Sequence, residues 1–359
     1  MPELIISFLL FFLPLIILPF GISPFEIPKV IIAEISIQAL LVCFLLFSKK
    51  IEVKNFNPLF LVISLGFLIL SIIHLLFFNQ PTTFFGNSFR LQGVFLLWNL
   101  IILSLISSQF KLKTLPSYIF FGLILFELLA SLAISPNLNN RAIGTLGEPN
   151  ALASFLIFLW PFLLFNAKKS LKIIGSLLVL GLVILTGSRS GLIGLGIEGI
   201  FYLLIRLSKL KQNLVVLLSF VLIILSLVLP FLEGFKVYES RKEIWQTSLT
   251  AGAISPILGW GFGNTQIAIS QTSKILGNNV QYQFVDSSHN FLLDFWLQAG
   301  VVGLVLVILL ILQVIQNLIK NKKALEIMAL LGVIIVMLFN PVSIVTLIAF
   351  WWLIGQGFV

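Results

Sequence analysis

Glu239-Ser240-Arg241-Lys242-Glu243-Ile244-Trp245, Pro256-Ile257-Leu258-Gly259-Trp260-Gly261-Phe262-Gly263-Asn264 and Asp286-Ser287-Ser288-His289-Asn290 all fall within residues 233–290, the one long polar interruption of this chain. On either side the sequence is almost continuous hydrocarbon. Such a pattern reads as membrane helices that hold one loop at a bilayer surface.

Composition agrees. Apolar residues make up 59% of the 359 positions and charged residues 10%. The mean hydropathy is +1.14. Soluble domains are about 25% charged, so this is an integral membrane protein. The single cysteine, Cys43, excludes an intramolecular disulfide and reads as helix filler. A net charge of +9 does not point to nucleic acid, because most of the lysines sit in short loops between apolar runs.

A spanning helix needs ~20 mostly apolar residues. The runs that qualify are 4–22, 27–47, 58–78, 92–108, 115–134, 149–166, 171–186, 190–207, 213–232, 291–319, 324–339 and 342–356. The fold expected is all-α and polytopic, a single membrane domain over 1–359 with about twelve spans. Residues 233–290 form a large extracytoplasmic loop between the ninth and tenth. Leu4–Phe20 reads as a span because no basic segment precedes it. The seventh run is short. The tenth is long enough to begin at the interface and then turn inward.

Fourteen of the 22 basic residues fall in alternate loops, at 49–54, 111–113, 168–172, 206–211 and 320–323. The positive-inside rule makes that side the cytoplasm, which places both termini there. Of five arginines only Arg206 falls on that side; Arg90, Arg141, Arg189 and Arg241 fall on the other. A guanidinium offers a rigid fork of donors matched to phosphate oxygens, so four facing one compartment suit a phosphate-bearing ligand. Arg90 reads equally well as a headgroup anchor. Carboxylates inside spans (Glu34, Glu127, Glu198 and Asp294) must face a wet cavity or lock helix packing. Asp294 lies near the outer surface, where it can orient site groups. Gly194, Gly196 and Gly332 suit close helix contact, and Pro14, Pro19 and Pro161 suit kinks.

His74 reads as a packing residue within the third span. His289 follows Asp286 and two serines at the threshold of the tenth span, where a neutral imidazole can take a proton from a hydroxyl. Arg241, Trp245 and Leu249 recur at helical spacing and predict an amphipathic helix on the membrane surface, ended by Pro256. Trp260 and Phe262, between glycines, either dip into the interface or stack on a sugar ring. Thr186-Gly187-Ser188-Arg189-Ser190-Gly191 joins the seventh and eighth spans. Its small residues and the following helix N-terminus suit a diphosphate. No Asp-x-Asp pair, metal-spaced His or Cys cluster, or P-loop occurs, which argues against a metal-dependent nucleotide-sugar transferase and an ATP-driven pump.

Four segments, in order, carry a resemblance. They are Arg141-Ala142-Ile143-Gly144-Thr145-Leu146-Gly147-Glu148-Pro149-Asn150-Ala151-Leu152-Ala153, Thr186–Gly191, Arg241…Trp245…Pro256…Gly259-Trp260-Gly261, and His289-Asn290…Leu293…Gly300…Gly303. Over roughly 140–305 the chain resembles the O-antigen ligase and polymerase superfamily. The resemblance implies twelve spans and a periplasmic loop with short helices. It implies an inverting glycosyl transfer that needs no metal or cofactor. The donor would be an undecaprenyl-diphosphate-linked glycan and the acceptor a lipid, glycan or protein hydroxyl, met at the outer face of the inner membrane. Arg189 and Arg241 match the family's diphosphate-binding arginines, Arg141 a further arginine of the pattern, and His289 its general base. Two departures bear on the acceptor: Gln298 stands where glutamate is frequent, and the outer loop is short. Ligase and polymerase share these motifs. A secondary transporter is the rival from another class. It would place its binding groups at the midplane on broken helices, often in repeated halves, and neither is read here.

Overall fold

The structure is a computed structural model that describes residues 2–47, 57–78, 80–110, 115–134, 141–207, 217, 221, 239–282 and 284–359. Among these residues every regular element is helical. In chain order they are α1 (Pro2–Ser7), α2 (Ile27–Phe47), α3 (Pro58–Phe77), α4 (Pro81–Phe85), α5 (Val94–Ser107), α6 (Ser117–Ile134), α7 (Pro149–Asn166), α8 (Lys169–Thr186) and α9 (Arg189–Leu207). After the polar stretch begins come α10 (Glu239–Ile254), α11 (Thr265–Leu276), α12 (Phe291–Lys320), α13 (Ala324–Phe339) and α14 (Ile344–Gln356).

Six described helices (α2, α3, α6, α7, α8 and α12) are long and apolar enough to cross a membrane. The seventh expected run is not short: α8 is 18 residues. Helix α9 has 19 residues but carries Arg189, Glu198 and Arg206. Four others, Pro2–Leu15, α5, α13 and α14, are apolar but shorter. The ninth expected span, 213–232, lies outside the described residues.

The first span differs from expectation. Its helix passes through a wide turn at Phe8–Phe12 and a tight one at Leu13–Leu15 and then stops. Pro14 and Pro19 lack the amide hydrogens a continuing helix needs, and Ile16 is already extended. Residues 16–26 therefore run irregularly, and the expected span to residue 22 is not helical.

The centre is α13, which packs on α7, α9, α12 and α14 and is buried from Ile327 to Phe339. Helix α7 is 72% buried, whereas α6 and α8 are 28% buried and carry most of their apolar surface outward. Polar groups lock the bundle. Lys29 Nζ donates to Thr145 O (2.7 Å). Thr145 N and Oγ1 both donate to the buried Glu127 carboxylate, and Oγ1 also lies 2.9 Å from Pro14 O. Glu127 is thus a packing residue. Glu198 is buried against Gly332, where an added Cβ would lie 2.1 Å from its Oε1. Gly196, by contrast, faces open space. His74 is buried between Phe78 and Phe262 rings, as a packing histidine should be.

Helix α12 breaks at Gly300 (φ 62°, ψ −165°), so its first nine residues turn away from the membrane-long remainder. The break frees carbonyls, and the glycine turn after α10 takes them. Trp260 N donates to Leu297 O (2.7 Å) and Gly261 N to Gln298 O (2.9 Å), while Val301 N reaches Pro256 O (2.8 Å). The backbones meet so closely that a Cβ on Gly300 would lie 2.0 Å from Ile257 O. Kink and turn satisfy each other's hydrogen bonds.

Candidate active site

Begin at the end of α8. Its last carbonyls need donors. Arg141 Nε supplies Thr186 O (2.7 Å) and Ala142 N supplies Leu185 O (3.0 Å). A cation there also suits the negative end of the helix dipole. Gly187 turns the chain (φ +61°), and Ser188 starts α9: its Oγ accepts from Gly191 N (3.2 Å) and its carbonyl from Leu192 N (3.0 Å). Arg189, the first residue of α9, is exposed.

Ser188 Oγ also donates to Asn150 Oδ1 (2.8 Å), and Asn150 Nδ2 reaches Glu148 Oε1 (3.3 Å). On the other side Ser190 Oγ accepts from Asn340 Nδ2. Asn340 Oδ1 accepts from Arg241 Nη2 at 3.2 Å. Asn340, immediately after α13, therefore joins the start of α9, which bears Arg189, to the start of α10, which bears Arg241.

The third wall is the turn before α12. Asp294, one turn into that helix, accepts from Ser287 Oγ and Ser288 N, both at 2.7 Å. Ser287 Oγ in turn accepts from His289 N (3.0 Å). The clamp holds His289 at φ +58°, a left-handed conformation uncommon outside glycine. Asp286 forms an ion pair with Arg90, whose side chain is 12% exposed against 7% for the aspartate. The pair ties the 80–93 segment to the histidine turn.

Electrostatics shows which groups share a field. Burial pushes the His289 imidazole down to about 4; the positive charges of Arg241 and Arg90 push the same way and Asp286 opposes them. The ring is therefore neutral at pH 7. Burial raises Glu26 to about 7 against the opposing charge of Arg90, and it raises Glu148 against Arg90 and, more weakly, Arg141. Burial alone would lower Arg90, but Asp286, Glu26 and Glu148 together hold it above its ordinary value. Arg90 is thus paired with Asp286 and sits in the field of Glu26 and Glu148.

The structure brings Arg90, Arg141, Arg241, Asp286 and His289 to one end of the bundle, with Arg189 at the adjoining helix start. Trp260 is half-buried, and its indole N–H donates to Ala251 O (2.8 Å), which staples the glycine turn to α10. Two expectations need correction. Phe262 is 4% exposed and packs on His74, so it does not dip into an interface. The helix at Arg241 exists, but Trp245 turns inward against Phe339 and only Leu249 of the expected apolar face is exposed. Helix α10 packs chiefly on α11 and α12, and Trp245 reaches across to Phe339 of α13. Missed altogether were Asn340 and Glu26. Each is a lone polar residue beside a proline-broken boundary, and that punctuation is their signal in the sequence. A cavity of about 90 Å³ lies behind the turn, walled in part by Arg90, Asp286 and Ser287 but not by His289, Arg189 or Arg241.

Residues 174–308 match the sequence model of a family described as O-antigen ligase. The match falls largely within the stretch, roughly 140–305, whose motifs carry the resemblance. The ComP-specific O-oligosaccharyltransferase of Acinetobacter baylyi is 28% identical over 326 residues, covering 83% of this chain and 56% of that protein. The chain thus spans little more than half the length of that relative.

Proposed function

We propose that this protein is a membrane glycosyltransferase of the O-antigen ligase type, moving a glycan from undecaprenyl diphosphate to an acceptor hydroxyl on the outer face of the cytoplasmic membrane. The observation that carries this reading is one electrostatic neighbourhood holding a neutral His289 beside Arg241, with Arg189 tied in through Ser190 and Asn340. The chain has twelve spans in this reading, with both termini cytoplasmic and residues 233–290 outside.

The donor's diphosphate lies against Arg189 and Arg241, whose forks neutralise the charge that grows on the leaving group. Arg141 organises the turn that presents Arg189. His289 accepts the acceptor's hydroxyl proton as the oxygen attacks the anomeric carbon from the face opposite the phosphate. The carbon–oxygen bond to phosphate breaks with its electron pair, undecaprenyl diphosphate departs and the anomeric configuration inverts. Two arginines supply the charge neutralisation that a metal ion would otherwise give. Donor binding also strengthens the base: the Arg241 charge that lowers His289 is screened once a diphosphate sits on it.

A second reading has one observation in its favour, the similarity to a protein named as an O-oligosaccharyltransferase. In that reading the acceptor hydroxyl belongs to a protein. The test is transfer by the purified protein from a synthetic polyprenyl-diphosphate glycan, with chelator present. Acceptors would be lipid A core glycan, a carrier-linked repeat (the polymerase case) and a folded protein. Chelator-resistant transfer that is lost in His289→Ala and Arg241→Ala supports the reaction, and the productive acceptor chooses among its forms. Ion-coupled flux in proteoliposomes without transfer would replace the reading with a transporter.

A further inference from the structure

We infer that the cavity behind the histidine turn is the sugar-binding subsite of the acceptor, an inference that rests on the transfer reaction proposed above. Asp286 and Ser287 form part of its wall, and Ser287 is the residue that accepts from His289 N. A molecule lodged there lies against the turn that carries the base. The donor-side arginines, Arg189 and Arg241, are not in the wall.

The lining has the chemistry of carbohydrate recognition: a few placed polar groups among aromatic surface. Thr265 lines it, is 5% exposed, and its Oγ1 has no hydrogen-bond partner. A buried hydroxyl left unsatisfied costs free energy unless a ligand or water completes it. Gln298 also lines it. Its Oε1 is taken by Gly263 N at 3.1 Å, which leaves the amide hydrogens for a ligand. Asn87 is alike: its Oδ1 accepts from Phe89 N and Arg90 N (3.1 and 2.8 Å), and its amide hydrogens remain. Trp351 lines it as well. Two amide donors, one hydroxyl and an indole fit the hydroxyl-bearing edge and C–H face of one sugar ring. At about 90 Å³ the cavity admits that edge and not a whole glycan. The ring's reacting hydroxyl is then the one left outside, beside His289.

The test uses the full-length protein in nanodiscs with a synthetic polyprenyl-diphosphate glycan. The acceptor probes are the p-nitrophenyl glycosides of glucose, galactose and N-acetylglucosamine. Thr265→Val keeps the shape and removes a hydroxyl that bonds nothing in the protein. It should raise the KM for the sugar probe about tenfold, the worth of one hydrogen bond. It should leave kcat, donor KM and slow donor hydrolysis within twofold, and Thr265→Ser should restore the wild-type KM. Gln298→Glu keeps the acceptor for Gly263 N, loses the amide donor and should raise the same KM. An unchanged acceptor KM in Thr265→Val means the cavity holds water alone and overturns the subsite. So does a wild-type protein that hydrolyses donor but uses none of the sugars. A wild-type protein that turns over no donor at all overturns the reaction itself, which is a separate result.

Discussion

Replace Asp294 with alanine. Its carboxylate accepts from Ser287 Oγ and Ser288 N at 2.7 Å, and hydrogen bonds to a charged group contribute about 1.5–3 kcal/mol each. Together they stabilise the turn by about 3–6 kcal/mol. Against this stands the left-handed backbone of His289 at φ +58°, a strain of about 1–3 kcal/mol. With the carboxylate the clamp outweighs the strain; without it the balance reverses and the turn relaxes. A general base contributes about 10²–10⁴ to rate and depends on position. Asp294→Ala should therefore lose most of what His289→Ala loses, and the double variant should be no worse than His289→Ala alone. Asp294→Asn keeps one acceptor and should lose only about tenfold, in line with one weakened bond. The assay is initial-rate transfer from polyprenyl-diphosphate glycan, with the amount of folded protein checked by size-exclusion chromatography. Full activity in Asp294→Ala would refute the clamp. Losses that multiply in the double variant would show that Asp294 acts apart from His289.

Three more outcomes follow from the same geometry. With its folded value near 4, His289 stays neutral as pH falls from 7 to 5, so the acid limb of kcat/KM should lie near pH 4 and that of kcat higher; a kcat/KM limb at 6.5 would mean no perturbing field. For stability the sign is that the unfolded chain binds the extra proton between about 6.5 and 4, so the His289 contribution is present above that window and lost as pH falls through it. Removing Arg90 leaves Asp286 without its ion-pair partner and Glu26 and Glu148 without their main opposing charge, so Arg90→Ala should cost about 3–5 kcal/mol. Asp286→Ala should cost less, because Glu26 and Glu148 still face the guanidinium, and the double variant should fall short of the sum in thermal or denaturant melts; strict additivity would dissolve the pair. Gly300→Ala puts a Cβ 2.0 Å from Ile257 O at a φ of 62°, and should lower the melting temperature and cost at least about 1–3 kcal/mol; an unshifted melt would show that the kink does not need glycine.

Much of this was legible in the residues because membrane physics is strict. Long apolar runs had to become helices, since lipid offers the backbone no partner. Six of those described did so at a length that crosses a membrane. The length of the tenth run and Pro256 carried enough punctuation to expect a turn inward and a helix end; that the break falls at Gly300 came from the structure. The arginines and His289 stood out because charge is rare in such a chain. What the sequence could not supply was direction around each helix. In lipid an apolar stripe toward protein and one toward the bilayer look the same, so Trp245 reads as a surface residue when it faces inward; Phe262, in the glycine turn, is buried by contacts that no spacing records.

The sequence by itself determined a helical membrane protein, the polar stretch that interrupts it and the residue types available for phosphate and proton chemistry. Those follow from composition and one-dimensional spacing. Only tertiary structure decided that Asn340, from the far end of the chain, joins the helix starts of Arg189 and Arg241, and that Asp294 bends His289 into a left-handed turn. These are hydrogen bonds of about 3 Å between residues scores or hundreds of positions apart, or backbone angles held by a single carboxylate. Neither leaves a periodic trace, because each depends on which faces of separate helices meet when the bundle packs.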